Sequence, residues 1–285
     1  NSQDIPIDQL YRISLLCIDN GLNEAGMQNL NYILSINPKY EPALSTLAEI
    51  YIHEERYVDA LANLNIIYRQ GDRSLYILKL LAECERSVGN YDRMLDIAYD
   101  IVERYKDEIF GYLVISNYYK SSKNFKEAKK ILYKAEKRLP KEPYIQFEFG
   151  SISSLLGKFD KAKKYFLNAV DLDPDNSTFI YRAAVACEDD QDYNCSDTLF
   201  TKLFNKHSNP FIYNDYAYMI SNRSNVSKEK LEYALELVDF ALINDPNNYA
   251  FLDTKGWIFY KLEDYFNAEK FVREAYDNNT NSNEV

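Results

Sequence analysis

The feature that most restricts this chain is a 34-residue period. Ala128, Leu132, Ala135 and Pro140 recur as Ala162, Phe166, Ala169 and Pro174, and again as Ala234, Val238, Ala241 and Pro246. A sequence self-similar at this spacing is built of stacked supersecondary units, none of which can bury its apolar face alone. The register tiles the chain as residues 7–40, 41–74, 75–108, 109–142, 143–176, 177–210, 211–248 and 249–282. Each unit has 34 residues except 211–248, which has 38; its four extra residues fall in the polar stretch 222–228. Residues 1–6 and 283–285 lie outside the tiling and are expected to be flexible tails.

Each unit carries two apolar stripes at helical rather than alternating spacing. In 143–176, Phe149, Gly150 and Ser153 make one stripe, and Phe159, Ala162, Phe166 and Ala169 make the other. Leu156-Gly157-Lys158 supplies a turn between them. Pro38, Pro140, Pro174 and Pro246 close several units, because proline disfavours helix in the residue before it. Eight helix hairpins follow, about 16 helices in an all-α chain. Only 8 Gly and 8 Pro among 285 residues are too few for a sandwich or barrel of many short strands. No apolar run approaches the roughly 18 residues of a membrane-spanning helix.

The pattern resembles the tetratricopeptide repeat (TPR). The last unit reads Leu252, Gly256, Phe259, Tyr265, Ala268, Val272 and Ala275; the second reads Leu44, Leu47, Ala48, Tyr51, Ala60, Leu64 and Ile67. The likeness covers nearly all of the chain, with departures at Met94 and Ser196, where the repeat expects Ala. It implies a right-handed superhelical solenoid in which the first helix of each hairpin lines a concave face. Placed on that face, Lys79, Phe110, Leu113, Val114, Asn117, Tyr144, Phe147, Tyr181, Arg182 and Tyr216 are the candidate groove residues. Phe110, Tyr144, Phe147 and Tyr181 would be apolar anchors, and Lys79, Asn117 and Arg182 would set polarity and register. The alternative is that some of these rings pack between helices, since 26 Tyr and 15 Phe must be housed somewhere.

The implied function is a non-enzymatic scaffold that binds a peptide or protein segment, with no cofactor. The Lys/Asn clamp of chaperone-binding TPR domains is missing: Lys79 is followed at four by Glu83, and Asn117 is preceded at four by Leu113. Tyr213-Asn-Asp-Tyr-Ala-Tyr and the later stretch 249–257 look like the ends of bacterial TPR proteins exported to the cell envelope. That implies a periplasmic or outer-membrane-associated place in an envelope complex, with the cytoplasm as alternative. TPR proteins also serve polysaccharide export, which makes a carbohydrate-binding scaffold the second reading. After a last helix expected at about 265–277, no capping helix follows. Phe271, Val272 and Tyr276 are therefore expected on an open face that meets a partner, a second copy or further chain.

With 33 Lys+Arg against 44 Asp+Glu, the net charge of −11 argues against nucleic-acid binding, which needs a basic surplus. The charge is segregated: residues 120–164 hold 13 basic and 5 acidic side chains. Lys126, Lys129, Lys130, Lys137, Lys161 and Lys164 fall mainly on second helices. That places them on the convex side, as a solvated face or a contact for an acidic partner or lipid head groups.

Cys187 and Cys195 flank one hairpin turn and are candidates for a disulfide in an oxidising compartment. Cys17 and Cys84 read as small packed thiols. The only two histidines, His53 and His207, are far apart and no C-x-x-C occurs, so no metal site is expected. Asp171-Leu-Asp173-Pro-Asp175 and Asp190-Gln-Asp192-Tyr-Asn194 imitate calcium loops. They lack the Gly at the sixth place and the Glu at the twelfth. No phosphate-cradling, G-x-S-x-G or H-E-x-x-H motif is present, and no catalytic residue is assigned.

Overall fold

Each apolar stripe becomes a helix. The computed structural model describes residues 5–206 and 209–282, with side chains up to 279. His207, residues 1–4 and residues 283–285 lie outside the described residues. The first four hairpins are α1 (Ile7–Asp19) and α2 (Asn23–Ile36), α3 (Glu41–His53) and α4 (Tyr57–Arg69), α5 (Leu75–Ser87) and α6 (Tyr91–Arg104), and α7 (Ile109–Ser121) and α8 (Phe125–Glu136). The other four are α9 (Pro143–Leu155) and α10 (Phe159–Leu172), α11 (Ser177–Asp189) and α12 (Tyr193–Phe204), α13 (Pro210–Ser221) and α14 (Lys228–Asn244), and α15 (Tyr249–Lys261) and α16 (Tyr265–Ser282). No strand occurs among the described residues. The fold is an all-α array of helix hairpins.

The turn inside seven of the eight hairpins is built by one device. Gly21, Glu55, Gly89, Lys123, Gly157, Gln191 and Glu263 all have φ between 58° and 81°. Beside each, the next N–H donates to a carbonyl five residues back, as in Arg56 to Tyr51 (2.7 Å), Lys158 to Ser153 (2.9 Å) and Asp192 to Cys187 (2.8 Å). This closure satisfies carbonyls that the end of the first helix leaves open. Only three of the seven residues are glycine, so the device is explicit in the sequence at fewer than half of its sites. The second helices start on side-chain caps where Asn124, Asp192 or Ser227 accepts from a backbone N–H two or three residues inside the helix.

The chain divides into two compact units, Asn1–Ile145 and Gln146–Val285. In the first, Ala60, Leu64 and Ile67 of α4 and Ala128, Leu132 and Ala135 of α8 are fully buried. In the second, Ala162, Phe166 and Ala169 of α10 and Ala234, Val238 and Ala241 of α14 are buried likewise. Small residues face large ones so that the helices can close. A Cβ on Gly150 would lie 2.8 Å from the Phe166 ring, closer than real contacts allow. The two departures from the pattern also sit in the core: Met94 is buried, and Ser196 is buried with no hydrogen-bond partner for its hydroxyl among the described residues.

Two expectations are corrected at the end of the chain. α16 runs on to Ser282 rather than stopping near 277, because neither Gly nor Pro interrupts it. Phe271 is not an open surface ring: it stacks on Phe259 at 5.5 Å and 5°, with Lys255 Nζ 4.3 Å from its centroid. Val272 and Tyr276 are exposed.

Candidate functional site

In the first unit, α5, α6 and α7 enclose a hollow of about 550 Å³. Ala82 and Met94 lie deep in it. Phe110, Leu113, Val114 and Tyr118 of α7 form one wall and Tyr91 of α6 another. Tyr91 and Tyr118 face each other at 6.1 Å. Four of the candidate groove residues, Phe110, Leu113, Val114 and Asn117, come together here because they lie three and four apart on α7 and so share one face. Glu83, Arg86 and Asn117 stand at the rim, exposed and without a partner among the described residues. An apolar pocket with a few free polar groups at its mouth suits one side chain of a ligand and the backbone around it.

Lys79 does not join this rim. Its ammonium pairs with Glu108 at 3.1 Å and lies 5.3 Å from the Phe110 centroid, so it fixes the start of α7. Glu108 also accepts from the Phe110 N–H at 3.3 Å. Tyr144, exposed on the first turn of α9, does not line the hollow.

The candidates of the second unit are mostly packing residues. Phe147 sits against Phe166 (5.4 Å) and Phe179 (5.2 Å), and Arg182 covers the Phe166 ring at 5.3 Å. Tyr181 donates to Asp215 at 2.7 Å; burial first, then that bond, raises its phenol far above the usual value and keeps it neutral. Tyr216 is only 2% exposed and stacks on Phe200 at 4.1 Å, so it is not a groove residue. The reason is register. Tyr216 precedes the small Ala217 as Phe149 precedes Gly150 and Leu81 precedes Ala82, and this is the place that points into the core.

Tyr216 belongs to a buried ionic cluster that the sequence does not announce. Arg223, from the extra residues of the 38-residue unit, makes two 2.8 Å bonds to Glu188 and one of 2.6 Å to Asp197. Asp197 also accepts from Tyr216 (2.5 Å) and Lys230 (2.7 Å). Burial pushes the Asp197 carboxyl up, but these hydrogen bonds outweigh it and hold the group below its ordinary range.

Residues 144–176, the span of α9 and α10, match the sequence model of the tetratricopeptide repeat. A tetratricopeptide repeat protein from Parabacteroides merdae shares the fold with a TM-score of 0.63 at 13% identity, covering 89% of this chain and 98% of its own. The chain has the tetratricopeptide-repeat fold. The C-terminal part of a TPR repeat-containing protein from Cytophaga hutchinsonii is similar at a TM-score of 0.64 and 14% identity, covering 86% of this chain and 98% of its own. YrrB, described as a TPR protein with an unusual peptide-binding site, is similar at 0.52 and 14%, over 64% of this chain and 91% of its own. No curated protein sequence matches the chain significantly.

One of the TPR hairpins is covalently closed. Cys187 on α11 and Cys195 on α12 form a disulfide, with Cα atoms 5.8 Å apart. Cys17 and Cys84 are free thiols, and burial, with Glu83 and Glu85 nearby, pushes the Cys84 thiol up to about 11, which makes it unreactive. The calcium-like segments of the TPR turns are otherwise engaged: Lys163 binds Asp190 (2.5 Å) and Asp192 (3.1 Å), and Lys206 binds Asp175.

Of the basic candidates, Lys126, Lys129, Lys130 and Lys137 line a depression on α8 with Tyr133 and Lys134. Lys130 pairs with Glu127 at 3.1 Å, whereas Lys126, Lys134 and Lys137 have no carboxylate partner among the described residues. Lys161 and Lys164 are exposed on α10, in the other unit.

Proposed function

We propose that this TPR chain is a non-catalytic scaffold that holds a segment of a protein partner, with the hollow of α5, α6 and α7 as its anchor pocket. The observation that carries the reading is the pairing of an apolar, ring-lined pocket with three rim groups that no neighbour satisfies. Such a pocket rewards one buried apolar side chain by about 1.5–3 kcal/mol. Glu83, Arg86 and Asn117 then give direction to the backbone on either side.

A displayed library of random peptides selected on the wild-type chain tests this. Leu113→Asp with Asn117→Ala is the control, since neither side chain is among those packed against the core cluster of α3 to α6. Peptides sharing one apolar or aromatic residue are expected from the wild type, with affinity at least tenfold lower for the double variant and an unchanged melting temperature. Equal binding by both chains would remove the hollow from the function.

The second part of the proposal is location in the bacterial envelope, periplasmic or outer-membrane-associated. The bridge between Cys187 and Cys195 supports it, because disulfides persist in oxidising compartments and are rare in the cytosol. Protein isolated without reductant and then denatured is expected to show two titratable thiols, rising to four after reduction. Closing so short a loop contributes about 2–3 kcal/mol, so reduction should lower the stability of the second unit by that amount. Four thiols under both conditions would remove the support for the envelope.

A further inference from the structure

A second hollow, of about 510 Å³, lies on α13, α15 and α16 of the second unit, and its chemistry differs from the first. Tyr218, Trp257, Tyr260 and Tyr265 line it together with Asp253 and Glu269. The Trp257 and Tyr260 rings stack at 5.5 Å and 19°, and Tyr265 meets Tyr260 edge-on at 5.8 Å. The three tyrosines are half or more exposed.

The repeat shows what such a face receives. Place by place, Asp253, Trp257, Tyr260 and Tyr265 correspond to Lys79, Glu83, Arg86 and Tyr91 of the third hairpin, and Val272 and Tyr276 correspond to Ala98 and Val102. In the third hairpin α7 covers the last two of those places: a Cβ on Gly111 would lie 2.9 Å from both the Ala98 carbonyl oxygen and the Val102 side chain. Ala98 and Val102 are 0% and 3% exposed, whereas Val272 and Tyr276 are 46% and 68% exposed. The charge is also reversed. Lys79 finds Glu108 at the start of the covering helix, while its counterpart Asp253 is a carboxylate with no partner among the described residues.

We propose that this face binds a basic protein segment, with an arginine or lysine side chain seated among Trp257, Tyr260 and Tyr265 and Asp253 as its counter-ion. The negative faces of the rings attract a cation, and Asp253 repels an anion and gains nothing from a neutral ligand. Lys261 Nζ, 5.8 Å from the Trp257 centroid, already uses the outer edge of this arrangement. Glu269 is paired with Arg273 at 2.8 Å and plays the lesser part.

Trp257 is the single tryptophan of the sequence, so its fluorescence reports on this hollow alone. The full chain is titrated with deca-arginine, deca-glutamate and maltohexaose. A saturable change with deca-arginine only is expected, weakened about tenfold by Asp253→Asn and by Tyr260→Ala. Both side chains are exposed, so the melting temperature of each variant should match the wild type. Deca-arginine binding that neither substitution weakens would be general attraction to an acidic chain and would overturn the assignment. A response to maltohexaose would replace the basic segment by a glycan stacking on the rings. A particle mass that doubles with concentration and falls back in Tyr276→Ala would give the face to a second copy of the chain.

Discussion

Replacing Arg223 with Ala will lower the unfolding free energy of the second unit by about 3–5 kcal/mol, the usual loss when one partner of a buried charge cluster is removed. Arg223 is 8% exposed and its guanidinium bridges Glu188 and Asp197 while lying 4.6 Å from the Tyr193 centroid. Without it, two carboxylates face each other beneath α13 and α14 with only Lys230 to offset them. The magnitude comes from those stranded charges rather than from the net attraction of the cluster. Urea unfolding followed through Trp257, which lies in the same unit, measures it. The pH dependence has a definite sign. The folded Asp197 carboxyl titrates below its unfolded value, so its contribution is present above about pH 4 and disappears as pH falls through the folded value. Asp197 becomes neutral in acid, so the difference between wild type and Arg223→Ala should shrink there. A loss under about 1 kcal/mol at neutral pH would mean that water reaches the cluster and screens it.

Phe166→Ala is expected to cost about 3–5 kcal/mol in the same unit, as for other fully buried Phe truncations. Its ring is fully buried between Phe147 and Gly150, and Arg182 closes one side. Other hairpins place Leu64, Leu132 or Val238 here, opposite Ala48, Ser116 or Ala217. The larger ring of Phe166 fits because Gly150 has no Cβ. Gly150→Ala should therefore destabilise the wild type and be tolerated in a Phe166→Leu background, a coupling that a double-mutant cycle reads directly. Additive effects of the two substitutions would show that the helices adjust their spacing freely. The same packing rules out Phe147→Ala as a clean test of ligand binding, because the truncation removes the neighbour of Phe166 along with any groove.

Much of the fold was legible because core packing repeats the same demand in every hairpin. A small residue must sit where two helices touch, and a large one must fill the space beside it; that demand leaves a 34-residue signature from Ala60 to Ala268. The turns were less legible. Glu55, Lys123, Gln191 and Glu263 adopt the left-handed conformation without glycine, since the closure of the helix end offsets a modest backbone penalty. The site was legible only in part. Phe110, Leu113, Val114 and Asn117 converge because a single helix carries them, and helical spacing suffices to place them.

The amino-acid sequence by itself determined the helix hairpins, their number and the columns of small and large residues between them, because those follow from spacing along one chain. Only the tertiary structure decided which rings remain available: Tyr216 turned inward on a one-residue difference of register, Phe271 lay down on Phe259, and Trp257 stayed beside an open hollow. It alone brought Arg223 to Glu188 and Asp197, 35 and 26 residues away. Burial and pairing at such distances depend on what neighbouring helices place opposite a side chain, and a residue type and a local period do not carry that information.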